Sequence, residues 1–213
     1  MTYPNAFAGV KKLVTAEALQ IISAGLAIIA AILGAAALTS ALDAAMSGSE
    51  ASAAGFVGAG IGTVLCGIGI VVLNVIATIF TLIGLKKCSN DEPKNFNIAF
   101  FAAIAVLALS VLSGVLTAVP VVANIFKAIA NVANVFVFVF TVTGISELAD
   151  KLNRADVSSL GKIVLGIMVV GALLSIIGNF VGGVLAIIAS IVYLICYIVY
   201  LVYLTKAKAM LAN

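Results

Sequence analysis

Five polar side chains fall on one side of an otherwise apolar helix between residues 124 and 141: Asn124, Lys127, Asn131, Asn134 and Thr141. Their steps of three, four, three and seven match the 3.6-residue turn, so they form a single stripe. At 1.5 Å per residue the stripe rises about 25 Å, nearly the hydrocarbon thickness of a bilayer. Polar groups at that depth must meet protein or water. Packed against protein, the carboxamides and hydroxyls bond across helices, each bond contributing about 0.6 to 2 kcal/mol, while Lys127 snorkels outward from its helix end. Facing water, the same groups line a polar path or pocket, with Lys127 as an outward cation for an anionic or carbonyl-bearing solute. One helix contact needs only one or two polar residues. A stripe of full membrane length exceeds that need, which leaves the two readings balanced.

The remaining chemistry is sparse. There is no His, no H-E-x-x-H, no phosphate-cradling G-x-x-x-x-G-K-[ST] and no G-x-S-x-G, so an enzyme is not expected. Cys66, Cys88 and Cys196 are far apart, with no second ligand type beside them. They read as free thiols, with no metal and no cofactor. Glu17 reads as an interfacial residue, solvated or paired with Lys11 or Lys12. A functional carboxylate inside the membrane is the alternative.

The elements that position these groups follow from composition. Hydrophobic residues make up 64% of the 213 and charged residues 9%, far from the soluble average of about 25% charged. The expected class is an all-α integral membrane protein. A span needs about 20 apolar residues, and the chain divides into six with no room for a soluble domain. It is therefore read as one membrane-embedded domain, 1–213, with hairpins at about 13–85, 96–145 and 160–205 and a short cytoplasmic helix at about 146–155. The net charge of +3 lacks a basic patch and does not suggest nucleic acid.

In chain order, residues 1–12 carry Phe7 and Val10, with Val14 following, at helical spacing and suggest a short surface helix. The apolar run from Ile21 to Leu38 is longer than a secretory signal core. Ser47 and Glu50 fit a capping box opening the second helix. That helix places Gly55, Gly58, Gly62 and Gly69 on one face, where small residues let backbones approach. Pro93 and Asn95 suit a turn and cap before the third span. After the fourth, Glu147 with Lys151 and Asp150 with Arg154 are spaced as helical ion pairs that would carry the helix into the cytoplasm, with the break at Asp156 to Ser159. A tight turn around Asn179 and Gly182 to Gly183 joins spans five and six. Tyr200 and Tyr203 suit an interfacial belt beside Lys206 and Lys208, whereas Tyr193 and Tyr197 sit deeper.

With six spans, every Lys and Arg except Lys127 falls on one side, which by the positive-inside rule places both termini in the cytoplasm of a plasma or inner membrane. The segments NVIATIFTLIG, 74–84, and NVFVFVFTVTG, 134–144, match at Asn, Val, Phe, Thr and Gly with an offset of 60. Asn74 and Thr81 become counterparts of Asn134 and Thr141, and the hairpins read as a parallel internal repeat. Two functions follow. One is a small channel or transporter with its path along the fourth helix, its partners the lipid bilayer and a small solute. The other is a scaffold or accessory subunit whose glycine face packs against a second copy or another membrane protein.

Overall fold

The computed structural model describes residues 2–47, 50–116, 119–181 and 183–212, and these are helical apart from short turns. The order is α1 (Pro4–Ser47), α2 (Glu50–Cys88), α3 (Pro93–Val115), α4 (Pro120–Lys151), α5 (Ala155–Val181) and α6 (Gly183–Ala212). Among the described residues, α1, α2, α3, α4 and α6 are long and apolar enough to cross a membrane. Large apolar side chains such as Ile32, Val64, Val71 and Phe101 stand well exposed. In water such a surface would drive aggregation, whereas lipid covers it at no cost.

α1 is longer than expected at both ends. Residues 4–12 are its first turns and not a separate surface helix, because Ala6 and Val10 are fully buried. Ser47 closes α1, its hydroxyl donating to the Asp43 carbonyl at 2.6 Å; the expected capping box with Glu50 lies outside the described side chains. The start of α1 is held by a residue distant in sequence. Asp91 Oδ2 accepts from the Ala6 amide at 2.7 Å, and Oδ1 accepts from Asn5 Nδ2 at 2.9 Å. A carboxylate on the free amides of a helix N-terminus satisfies donors that have no partner within the helix. Asp91→Ala should therefore lower stability by about 1 kcal/mol, measured as the shift in unfolding midpoint in detergent.

The turns also depart from expectation. Glu92, rather than Asn95, caps α3, its Oε2 accepting from the Asn95 amide at 3.0 Å; Pro93 follows at the first helical position, where its missing N–H is harmless. Asn95 is itself buried within α3. α4 ends at Lys151 and does not run on to Arg154. Asn153 takes a left-handed conformation, φ 56°, with its amide bonded to the Asp150 carbonyl and the Arg154 amide bonded to that of Ala149. This pair of bonds is the Schellman stop, and asparagine is one of the few residues that tolerate its geometry. Arg154 consequently turns forward and pairs with Asp156 at 3.0 Å, not with Asp150. The guanidinium holds the Asp156 carboxyl below the usual carboxylate range.

The chain forms two compact units. The first joins Met1–Glu17 with Thr78–Asn213 and the second is Ala18–Ala77. Within the second, α1 and α2 run antiparallel. A Cβ added at Gly55, Gly62 or Gly69 would meet Ser40, Leu33 or Leu26 respectively. Each step of seven along α2 is answered by seven back along α1, the repeat of a left-handed helix pair. A Cβ on Gly58 would meet nothing within 4 Å among the described residues.

In the first unit α3 packs along α4, α4 along α5 and α5 along α6. Its core lies at the helix ends near the lysines: Val10 and Leu13 of α1, Leu85 of α2, Phe96 of α3, Ile145 and Leu148 of α4, Val157 of α5, and Tyr203 and Leu204 of α6. Two glycines set the α1–α2 crossing. A Cβ on Gly9 would strike the Gly84 carbonyl and Cys88, and one on Gly84 would strike the Gly9 carbonyl. Gly144 similarly leaves room for the Phe96 ring.

Candidate functional site

One face of α4 carries the stripe and continues below it. Positions 127, 131, 134, 138, 141, 145 and 148 alternate steps of four and three. Towards the lysine-bearing end, Phe138, Thr141, Ile145 and Leu148 are all buried. Towards the other end, Asn134 and Asn131 are half-buried and Lys127 is exposed. The side chain of Asn124 lies outside the described residues. The same face thus changes from an apolar, closed seam to a polar, partly open one.

Thr141 stands at the change. It is 1% exposed, its hydroxyl donates to the Val137 carbonyl at 2.6 Å, and it is hydrogen-bonded to the side chain of Tyr200. Phe138 packs its ring against the edges of Tyr200 and Tyr197, centroids 5.1 and 6.0 Å apart. One turn along α6, Tyr203 donates to the Val142 carbonyl at 3.2 Å and lies 3.3 Å from Ser146 Oγ. Gly161 makes this possible, since a Cβ there would collide with Ser146 Oγ and crowd the Tyr203 hydroxyl. Tyr200 and Tyr203 are therefore interior residues rather than members of an interfacial belt. Their phenols bond to protein groups, as a buried tyrosine requires. Tyr193 lies outside the described side chains, as does the Gly182 turn.

Against Tyr200 sits the residue least expected there. Glu17 is 4% exposed and close enough to Tyr200 to act on it electrostatically. It is neither solvated nor paired with a lysine: Lys11 is exposed, and Lys12 Nζ lies over the Phe80 ring at 4.5 Å. Its Oε1 has no hydrogen-bond partner among the described residues. The signal was present in the spacing, because Ala6, Val10, Leu13 and Glu17 share one helical face. No protein-family model, curated protein or solved structure matches the chain. The site rests on its own geometry.

The other expected residues are placed apart from this group. Asn74 is exposed in the second unit, and Thr81 is half-buried in the first; both make polar or electrostatic contacts. Gly55, Gly62 and Gly69 contact α1 of the same chain, as described above. Cys66, Cys88 and Cys196 are free thiols, the last two buried.

Proposed function

We propose that this protein is a small, non-enzymatic, channel-like or transporter-like membrane protein whose polar path runs along the outer half of α4. The observation that supports the reading is the half-burial of Asn131 and Asn134 on a face that is sealed one turn below by Phe138 and Thr141. Fully packed asparagines would be interhelical bonds alone, and fully exposed ones could not persist in lipid. Partial exposure on an interior face is what a water-reached wall offers. The proposal includes the arrangement that carries it: three hairpins, a parallel repeat relating α2 to α4, and both termini on the cytoplasmic side.

Lys127, exposed on the same face, stands at the outer end and would draw anions. Lys127→Glu should then shift the permeability ratio of reconstituted vesicles from chloride towards potassium, read as a change of sign in the reversal potential under a salt gradient. An unchanged ratio would remove Lys127 from the path. The scaffold reading loses its main support, because three of the four glycines proposed to bind a partner are already in contact with α1.

A further inference from the structure

We propose that Glu17, buried beside Tyr200, is a proton-binding site within the membrane. Glu17 is 4% exposed and its Oε1 is unpartnered, whereas a buried ionised carboxylate requires a cation or several hydrogen-bond donors. Among the described residues no ion pair reaches it. Lys11 on its own helix is exposed, and Lys12 is engaged with Phe80. From α6 it acts electrostatically on Tyr200, which also feels Tyr203 and, from α2, Cys88, and which is hydrogen-bonded to the Thr141 hydroxyl of α4. Asp150 acts on Tyr203. All of these titratable neighbours are acids, and none can supply positive charge. With a proton bound, Glu17 is neutral and gains an O–H donor.

The site lies where the α4 face turns from sealed to half-open. The proton leaves when water reaches Oε1. The inference does not depend on solute flux: it concerns the charge state of one carboxyl, and it would stand if the α4 face carried nothing.

Dicyclohexylcarbodiimide tests it on the intact protein in membranes. The reagent partitions into lipid and reacts with a protonated carboxyl: the acid proton moves to one carbodiimide nitrogen as the carboxyl oxygen bonds to the central carbon. At pH about 7, well above the ordinary glutamate value of about 4.3, peptide mass spectrometry should find the adduct on Glu17. The yield should fall as pH rises, and sodium ions at fixed pH should not change it. Glu17→Asp should keep the adduct and Glu17→Gln should abolish it, with both variants checked for folding by their elution and helicity. No adduct on the folded wild type, or a yield that rises only on denaturation, would overturn the proposal. Protection by sodium would also overturn it, in favour of a metal-cation site.

Discussion

Leucine at both Asn131 and Asn134 should reduce solute permeation by about tenfold or more and leave the fold intact. A polar solute sheds water along a narrow wall and recovers part of that cost from the groups lining it. Each lost partner leaves about 1 to 3 kcal/mol unmet, and about 1.4 kcal/mol in a barrier is a factor of ten in rate. Leucine is close to asparagine in size. The two sites are only half-buried, so overpacking should be small. The measurement is stopped-flow light scattering of proteoliposomes challenged with potassium chloride, glycerol or urea, beside protein-free vesicles. A folded double variant with wild-type rates would place the path elsewhere.

The largest structural effect is expected at the α1–α2 crossing. Gly9→Val should cost about 3 kcal/mol or more, the upper range for forcing atoms into a packed site. The atoms that a Cβ would strike include the Gly84 carbonyl and the Cys88 amide, and backbone cannot rotate away as a side chain can. The helices would have to part, which would also uncover Ala6 and Val10 and pull Asp91 from its cap. Gly58→Ala is the contrast. Nothing lies within 4 Å of that site, so the helix-propensity gain of up to about 1 kcal/mol should be all that is seen. Unfolding midpoints of the two variants in the same detergent decide the comparison, and similar shifts would contradict the crossing described here.

What could be read from the sequence, and what could not, divides by the range of the interactions. The helical spans were legible because apolar runs of that length have few other stable forms. The stripe was legible because periodicity is a property of one helix. The glycine face was recognised as a packing face, but its occupant, α1, was not, since spacing shows which residues share a side and not what covers that side. The interior place of Glu17 is hidden for the same reason. Near two lysines it resembles an interfacial residue; only its burial, with Tyr200 of α6, far along the chain, close by, shows that it is interior. The Asp91 cap on Ala6 joins residues 85 positions apart. The stop at Asn153 was local, and an asparagine just past a lysine-bearing last turn was a signal available to be read.

The central claim is that water reaches the half-buried face of α4, and single cysteines tested with a membrane-impermeant maleimide address it most directly. In a background with Cys66, Cys88 and Cys196 replaced by alanine or serine, cysteines at 131 and 134 should react in intact vesicles, as should one at 127. Cysteines at Val132 and Phe136, on the exposed apolar side of the same helix, should stay unreacted because lipid covers them. Protection at 131 and 134 equal to that at 132 and 136 would contradict the account and leave the stripe as packing.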